Sequence, residues 1–391
     1  MKIVFFCIPA HGHTNPTLGV VRELINRGHE VWYYSYSMFR DKIEATGAKF
    51  IFCDAYDCEQ KLTPEDAARI GGDLAFSTKI LVDTTLALDE VVCRDMAELQ
   101  PDCIVADSMA VWGKAAAMKL GIPFVSSTTT FAFNQFSSKI MPQKPSDLLK
   151  MMLAMPQANR HVRRLQKHGY PVKNVLDIIS NDNSTHTIVY TSPEFQPFAD
   201  TFSPEYYAFV GPSIRTAEQV IEKTADKLVY ISMGTVNNAM LPFYRSCIQA
   251  LGNTPWQVLI SIGNQLAAED FGEIPTNVSL YSYVDQIAVL KQADAFLTHC
   301  GMNSVSEALY FGVPLILNPK TKEQQGVAVR VAEQGAGVYL KVESPEEILL
   351  ALNTVLGDAQ YQEGAERIAE SFRRCGGAEA AADKILNVCK G

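Results

Sequence analysis

A histidine near the N-terminus has the chemistry and the position of a general base. His13 lies in the segment Pro9–Pro16, directly after the apolar run Ile3–Ile8. Because an imidazole titrates near neutral pH, a histidine on a glycine-flanked turn after a strand is well placed for proton transfer. A helix is expected to follow, from about Asn15 to Arg27. The alternative is that His13 only caps this helix or packs beneath it.

Asp107 is the candidate partner of His13. It follows another apolar run, Cys103–Ala106. An aspartate at the same edge of a sheet could hold the imidazole through its other ring nitrogen and stabilise the imidazolium form. An ordinary helix N-cap accounts for Asp107 equally well. Thr129 and Thr130 follow the next predicted strand, and their hydroxyl groups could line the same site.

A second histidine, His299, belongs to a segment that could bind a diphosphate. The segment Thr298–Leu309 follows an apolar run and opens a predicted helix. Gly301 frees the backbone there, and the unpaired N–H groups of a helix N-terminus attract anions. His299 and Asn303 can add donors, and Glu307, one turn into the helix, can accept from ribose hydroxyls. The alternative is a capped helix with Glu307 on its surface.

Further polar groups follow neighbouring strands of the same half of the chain. Glu323 and Gln324 are an acidic and an amide residue side by side, a pair suited to vicinal sugar hydroxyls but weak as a signal alone. Ser232 and Thr235 add hydroxyls near the same edge. Neither half has a Gly-x-Gly-x-x-Gly after its first strand or a phosphate loop ending in Gly-Lys, which argues against a nicotinamide enzyme or a P-loop kinase.

The elements that must position these groups are short apolar runs alternating with helical stretches. Runs such as Ile3-Val4-Phe5-Phe6 are apolar on both faces, as in parallel strands covered by helices, so the pattern predicts a doubly wound α/β fold. It occurs twice. We predict one domain over residues 1–211, a polar linker over 212–227, a second domain over 228–372 and a C-terminal helix over 373–391. Ligands in such sheets bind beyond the carboxyl ends of the strands.

The alternation breaks between about Phe131 and Asn181, where Met, Phe and Gln are frequent. Phe131, Phe136 and Met152 could form an apolar wall that adapts to ring-shaped acceptors, since aromatic and methionine side chains repack readily. The alternative is that they pack helices onto the first domain.

Composition limits the remaining classes of function. The chain has 391 residues, 47% of them apolar, and a formal net charge of −9, which does not favour a nucleic-acid partner. No apolar run approaches the ~18 residues of a membrane helix, and the N-terminus lacks a cleavage site, so we expect a cytoplasmic protein without a membrane span. Nine scattered cysteines fit free thiols, and no metal-ligand spacing occurs. We expect a monomer or a weak dimer.

Taken together, these motifs resemble the family 1 glycosyltransferases over nearly the whole chain. The resemblance rests on a set of spaced residues in the second half: Tyr283-Val284-Asp285-Gln286, Leu290, Thr298-His299-Cys300-Gly301-Met302-Asn303-Ser304, Glu307, Gly312-Val313-Pro314, Pro319 and Glu323-Gln324. In the first half, Gly12-His13-x-Asn15-Pro16 is similar to the bacterial macrolide-glycosyltransferase branch. The resemblance implies the GT-B fold, with two facing Rossmann-like domains, a cleft between them and a C-terminal helix that returns to the N-terminal, acceptor-binding domain.

The resemblance also implies a reaction: inverting, metal-independent transfer of a hexose, with glucose expected, from a UDP-sugar to a hydroxyl of a small apolar acceptor such as a flavonoid, another phenol or a macrolide. No cofactor beyond this co-substrate is implied. His13 would deprotonate the acceptor and Asp107 would orient it. In the implied donor site, Tyr283 would stack on the base, Val284 would pair with the base through its backbone, and Gln286 would reach the nucleoside. His299, Asn303 and Ser304 would hold the diphosphate, and Glu307 would hold the ribose. Glu323 and Gln324 would hold the donor sugar.

The sequence departs from the family pattern at three positions, which weakens any inference about the donor sugar. Asp285 stands where proline is common, Lys320 replaces a frequent glutamine, and Glu323 stands where plant relatives have aspartate. Two other functions stay open: a nucleotide-sugar epimerase or hydrolase on the same fold, and a nucleotide-sugar-binding protein without catalysis. The presence of His13 and Asp107 favours a catalytic function.

Overall fold

The computed structural model describes residues 1–56, 63, 66, 69, 72–134, 136, 145–181, 183–234 and 239–390. Within these residues the chain forms two compact units, each built on one parallel sheet. The first unit comprises residues 1–190, 198–213 and 376–391, and the second comprises 191–197 and 214–375. Each is described by itself below. Of the predicted site residues, Thr235 lies outside the described residues.

The first unit has a seven-stranded sheet in the order β3-β2-β1-β4-β5-β6-β7, and its strands pair in parallel. The strands are β1 (Lys2–Phe6), β2 (Glu30–Ser35), β3 (Lys49–Phe52), β4 (Cys103–Asp107), β5 (Phe124–Thr128), β6 (Thr187–Val189) and β7 (Tyr207–Phe209). Both faces of β1 are buried, because Ile3 and Phe5 pack into one apolar cluster and Val4 and Phe6 into another. The apolar run therefore formed the two-sided strand that the sequence predicts.

Helices connect these strands: α1 (His11–Asn26), α2 (Arg40–Glu44), α3 (Leu74–Leu99), α4 (Val111–Leu120), α5 (Pro145–Lys167) and α6 (Val175–Ile179). The start of α1 differs from the expected start near Asn15, because the helix already begins at His11 and keeps Pro16 inside it. Proline lacks only one N–H, so one missing bond is tolerated in the second turn of a 16-residue helix that buries Val20, Val21 and Leu24.

The second unit has a six-stranded parallel sheet in the order β10-β9-β8-β11-β12-β13. Its strands are β8 (Leu228–Ser232), β9 (Gln257–Ser261), β10 (Val278–Tyr281), β11 (Ala295–Thr298), β12 (Leu315–Leu317) and β13 (Gly337–Tyr339). Its helices are α7 (Leu241–Leu251), α8 (Gln286–Leu290), α9 (Met302–Tyr310), α10 (Lys322–Glu333), α11 (Pro345–Gly357) and α12 (Ala359–Arg374). The predicted doubly wound α/β fold is confirmed in both units.

The last helix, α13 (Gly377–Cys389), belongs to the first unit. Its side chains Ala381, Ala382 and Ile385 are fully buried in the cluster that contains Ile3 and Phe5 of β1. The return of the C-terminal helix to the N-terminal domain, which the family resemblance implies, is therefore present.

The limits of the two units differ from the predicted domains at the linker, at residues 191–197 and at residues 373–375, which belong to the second unit and not to the C-terminal helix. The stretch over 212–227 is not a free linker, because from residue 214 on it is bonded to the second unit: the Thr224 N–H donates to Gln257 and Lys223 pairs with Asp294. Residues 191–197, expected in the first domain, also belong to the second unit. The Ser192 hydroxyl lies 2.7 Å from that of Ser371 on α12.

None of the described helices is long and apolar enough to cross a membrane. The cysteines among the described residues are free thiols. Within the described residues, His, Cys, Asp and Glu side chains form no cluster of three that could hold a metal ion.

Candidate active site

His13 lies in the first turn of α1, immediately beyond the carboxyl end of β1. The helix begins two residues earlier than His13, at His11, so the side chain projects from a helical backbone rather than from a turn. The His13 N–H donates to the carbonyl of Ala10, at 3.0 Å. The imidazole is 20% exposed.

Asp107 is the direct partner of that imidazole. Because β1 pairs with β4, with Phe6 opposite Ala106, the carboxyl ends of both strands bring the two side chains together. The Asp107 Oδ2 atom lies 2.7 Å from His13 Nδ1, and the carboxylate is wholly buried. Its other oxygen accepts the N–H of Met109. The helix-cap alternative is wrong, since α4 begins at Val111 with Ala110 as its N-cap.

The Asp107 contact assigns the two ring nitrogens of His13. An ionised carboxylate only accepts hydrogen bonds, so Nδ1 carries the proton and Nε2 keeps its lone pair. Thr129 is predicted among the acceptor-lining residues. Its Oγ1 atom also lies 3.1 Å from His13 Nδ1. It is only 3% exposed. Thr130 is half-buried, and its hydroxyl donates to the carbonyl of Phe131.

The thiol nearest to this pair, Cys7, is not a second nucleophile. Burial raises the pKa of the Cys7 thiol far above its ordinary value, and the Asp107 carboxylate raises it further. The thiol therefore stays protonated at neutral pH. Its sulfur lies 3.6 Å from the Thr14 hydroxyl.

The three residues predicted to form an apolar acceptor wall differ in how deeply they are buried. Phe131 is buried in the first unit, whereas Phe136 is exposed and Met152 on α5 is 68% exposed. Phe131 thus fits the packing alternative. The exposed side chains of Phe136 and Met152 stay available to a ligand, and their predicted role is untested.

In the second unit, His299 follows β11 and is held between two glycines. Strand β11 pairs with β8, which places Thr298 opposite Ser232. A Cβ atom added at Gly234 or at Gly301 would lie 2.6 Å from the His299 ring, so neither position can carry a side chain without displacing the imidazole. Gly234 also has a φ of +84°, a conformation that favours glycine.

The electrostatic state of His299 follows from this enclosure. Burial lowers the pKa of His299 to about 4, so the ring is neutral at pH 7. Its Nδ1 atom has no hydrogen-bond partner among the described residues. A buried polar nitrogen without a partner costs free energy, and a ligand that supplies one would recover it.

Helix α9 begins beside this ring. Gly301 is its N-cap and has no side-chain cap, so first-turn N–H groups point out of the helix end. The preceding residue, Cys300, has a φ of +66°, which is strained for a residue with a side chain and is found most often at functional sites. Together the helix N-terminus and the His299 imidazole suit an anion such as a diphosphate.

Glu307 does not lie on an open helix surface. Gln286, the first residue of α8, donates through Nε2 to the Glu307 carboxylate at 2.6 Å and to the Ser304 hydroxyl at 3.3 Å. The Tyr230 hydroxyl donates to Gln286 Oε1 at 3.4 Å. Burial raises the pKa of Glu307, and the hydrogen bond from Gln286 opposes that rise. Gln286, Ser304 and Glu307, all predicted donor-site residues, therefore form one hydrogen-bonded group. This excludes the alternative in which Glu307 lies on an open helix surface.

Tyr283 and Val284 lead into the same helix. The phenol ring of Tyr283 is 67% exposed, as a ring that stacks on a planar ligand must be before the ligand binds. The Val284 side chain is buried, so only its backbone could meet a ligand.

The remaining predicted donor contacts are less direct. The side-chain oxygen of Gln324 accepts from the N–H groups of Lys320 and Thr321 and so caps the start of α10, which leaves its NH₂ group for a ligand. Glu323 is exposed in the first turn of that helix. The Ser232 hydroxyl accepts from the Gly234 N–H at 3.4 Å.

The chain is similar to known proteins over nearly its whole length. Residues 245–382 match the C-terminal domain model of the erythromycin biosynthesis protein CIII-like family. The chain is 34% identical to the uncharacterized UDP-glucosyltransferase YdhE of Bacillus subtilis, over 98% of both chains, and 33% identical to the NDP-glycosyltransferase YjiC of Bacillus licheniformis, over 98% of this chain and 96% of the relative. The crystal structure of the glycosyltransferase of kitacinnamycin superposes with a TM-score of 0.85 at 26% identity, covering 99% of this chain and 98% of that one.

The chain belongs to the family 1 GT-B glycosyltransferases. It is a sugar-transferring enzyme of the natural-product type, and its two parallel sheets are those of the GT-B fold. The place of Thr129 after β5, next to the strand that ends in Asp107, is the signal by which the sequence predicts its hydroxyl near His13. Arg215, which pairs with Asp285, is a residue that the sequence did not predict.

Proposed function

We propose that this glycosyltransferase transfers glucose from UDP-glucose to a hydroxyl group of a small apolar acceptor, with inversion at the anomeric carbon. The observation that carries the proposal is the 2.7 Å contact between the partly exposed His13 ring and buried Asp107, which orients the imidazole and stabilises its protonated form. The similarity to a UDP-glucosyltransferase and an NDP-glycosyltransferase favours a nucleotide-sugar donor.

The reaction follows from the chemistry of that base. The acceptor hydroxyl gives its proton to His13 Nε2 while its oxygen attacks the anomeric carbon of the sugar. The bond from that carbon to the diphosphate oxygen breaks at the same time, on the opposite face, and the electron pair leaves with the nucleoside diphosphate. The charge of Asp107 stabilises the imidazolium that forms.

The second unit supplies the groups that hold the donor. In this proposal Tyr283 stacks on the uracil ring, Glu307 accepts from the ribose hydroxyls, and His299 with the first turn of α9 receives the diphosphate charge. These fixed dipoles stabilise the leaving group, so transfer is expected to survive EDTA. A complete loss of activity on chelation that Mg²⁺ restores would contradict this part of the proposal.

The exposed Phe136 and Met152 side chains support an apolar acceptor such as a flavonoid, another phenol or a macrolide. The test is incubation with UDP-glucose and a panel of phenols, with mass spectrometry for a mass gain of one hexose and NMR for the anomeric configuration of the product. A product that keeps the donor's configuration would contradict inversion.

The alternative functions are separated in the same reactions. A nucleotide-sugar epimerase or hydrolase would convert UDP-glucose without any acceptor, giving UDP-galactose or free glucose. A protein that only binds the donor would leave all components unchanged while UDP still bound in a calorimetric titration. Repeating the panel with a dTDP-sugar shows which nucleotide the site prefers.

A further inference from the structure

Asp285 has a buried carboxylate in the middle of the proposed base-binding segment, where it stands between Val284 and Gln286. It is only 2% exposed. The carboxylate caps α8, because it accepts from the N–H groups of Ile287 at 3.2 Å and Ala288 at 3.4 Å. The cap explains why α8 begins at Gln286.

The same carboxylate also holds a distant part of the chain. Its Oδ2 atom accepts from the Glu218 N–H at 2.6 Å and from the Gln219 N–H at 3.2 Å. Its Oδ1 atom accepts from Arg215 Nη2. Residues 215–219, which the sequence assigns to a linker, are thereby bonded to the start of α8. Asp285, which departs from the family pattern, and the polar stretch that contains residues 215–219 are therefore joined by hydrogen bonds into one structure.

The bonds around Asp285 keep it ionised. Burial alone would raise the pKa of this carboxyl, but the Arg215 guanidinium and the Glu218 N–H outweigh it and hold the pKa below its ordinary value. A buried carboxylate that is paired in this way is costly to disturb, since removing one partner leaves the other charge buried and uncompensated.

Arg215 also acts on a residue of the proposed nucleotide site, because its positive charge interacts with the Glu307 carboxylate. Burial raises the pKa of Glu307; the hydrogen bond from Gln286 and the charge of Arg215 lower it, and the charge of Asp285 raises it. Arg215 thus favours the ionised form of Glu307, which offers both of its oxygens to ribose hydroxyls as acceptors.

We propose that Arg215, held in place by Asp285, is a positioning residue of the nucleotide site: it fixes the segment from Tyr283 to Gln286, and its positive charge acts on the Glu307 carboxylate. This inference rests on the proposed function, which assigns Tyr283, Gln286 and Glu307 to the nucleotide. An ion pair that serves only the stability of the fold is the competing explanation.

The test compares two variants with a matched control. Arg215→Met keeps the length of the side chain without its charge, and Arg215→Lys restores a charge. Arg245→Met removes an exposed arginine of the same unit whose guanidinium bonds to the carbonyl of Asp270. Calorimetric titration with UDP at pH 7 is expected to show about tenfold weaker binding for Arg215→Met, the size of a lost charged interaction. Arg215→Lys is expected to recover part of that loss, and Arg245→Met to bind UDP as the wild type does.

Kinetics and pH separate positioning from stability. The donor KM of Arg215→Met should rise by the same factor as its UDP dissociation constant, with kcat and acceptor KM within about twofold of the wild type. Without the cation, Glu307 becomes protonated at a higher pH. The ratio of wild-type to Arg215→Met affinity should therefore widen as pH falls from about 8 to about 5. This ratio cancels the titration of UDP itself.

Each outcome decides for or against the inference. UDP affinity of Arg215→Met within twofold of the wild type, or a ratio that does not change with pH, would overturn it. If Arg215→Met does not fold, Asp285→Asn and Arg215→Lys test the same pair, and both must weaken UDP binding while thermal unfolding stays cooperative. Glu307→Ala separates the two proposals: if it leaves the binding of both UDP and dTDP unchanged, the nucleotide site itself is wrong. If Glu307→Ala weakens binding and Arg215→Met does not, only the inference fails.

Discussion

His13 and His299 each follow a strand near the middle of their own sheet, one beyond β1 and the other beyond β11, yet their surroundings differ. His13 is 20% exposed and has a buried carboxylate at 2.7 Å. His299 is enclosed between Gly234 and Gly301, its Nδ1 atom has no partner among the described residues, and its pKa falls to about 4. The first environment stabilises the protonated ring, and the second excludes it.

This difference teaches that the neighbours of a histidine decide what the imidazole does. A ring that must accept a proton during the reaction gains from an anionic partner, as His13 does from Asp107. A neutral ring in a dry pocket can receive an anionic ligand, whose charge then favours protonation. The two histidines therefore suit opposite ends of the transfer, the attacking hydroxyl and the leaving diphosphate.

The largest effect is expected from removing the proposed base. His13→Ala should lower the rate of transfer by ~10²–10⁴, because proton removal from the acceptor is lost. UDP affinity should stay within about twofold, since the proposed nucleotide contacts are in the second unit. Initial rates and calorimetric titration measure both. His11→Ala is the matched control, since His11 packs edge-on against Phe39, 4.9 Å away, and should keep nearly full activity.

The second prediction concerns His299 and the stability of the fold in acid. The pKa of His299 is about 4 in the folded protein and near 6.5 in the unfolded chain, so only the unfolded chain takes up this proton between those values. The resulting stability is complete above about pH 6.5 and is lost as pH falls toward 4. In His299→Gln, the drop in unfolding free energy between about pH 7 and 4.5 should be smaller by about 2 to 3 kcal/mol. Urea denaturation at both pH values measures it; an unchanged drop would show that the ring is not buried as described.

Asp107→Asn should have a smaller effect on catalysis than His13→Ala. The amide keeps the shape of the carboxylate but loses the charge that stabilises the imidazolium, a charged hydrogen bond whose loss corresponds to about 10- to 100-fold in kcat. The measurement is kcat across pH at saturating donor and acceptor. A rate equal to that of the wild type would mean that the partner of His13 has no part in the reaction.

The smallest effect is expected at Thr129. Thr129→Val keeps the shape of the side chain and removes the oxygen 3.1 Å from His13 Nδ1, which should lower kcat about five- to tenfold, the size of one neutral hydrogen bond. Thr129→Ser keeps the hydroxyl and should retain most of the rate. If acceptor KM changes and kcat does not, Thr129 contacts the acceptor instead, as the sequence suggests.

The strands of both sheets could be predicted from sequence because parallel strands are apolar on both faces. Short apolar runs such as those of β1 and β11 fit few other structural elements. The partnership of His13 and Asp107 could also be predicted, since both residues end strands at one edge of a sheet. The start of α1 was placed too late, because Asn15-Pro16 has the signature of a helix N-terminus, whereas the buried face of the helix outweighs one missing hydrogen bond.

Side-chain partners beyond the motif could not be predicted. The residues 212–227 have the charge and turn composition of a linker, and composition does not reveal that Arg215 pairs with Asp285 some 70 positions later. Likewise, Gln324 fits a sugar contact by motif, but its side-chain oxygen accepts from the N–H groups of Lys320 and Thr321. Which hydrogen bond a polar side chain forms depends on the local backbone conformation, and a sequence motif does not determine that conformation.

Helix α13 has a consequence for the order in which the protein folds during synthesis. The ribosome completes the second unit, which ends at residue 375, before it makes α13. Until then the first unit lacks part of the cluster around Ile3 and Phe5, namely Ala381, Ala382 and Ile385. At about 5–20 residues per second, the first-made sheet waits through the whole second unit, on the order of ten seconds or more, with part of one apolar face uncovered. The N-terminal half of the sequence is therefore the last to reach its finished core, and during that interval it is the part of the nascent chain most exposed to aggregation and to chaperones.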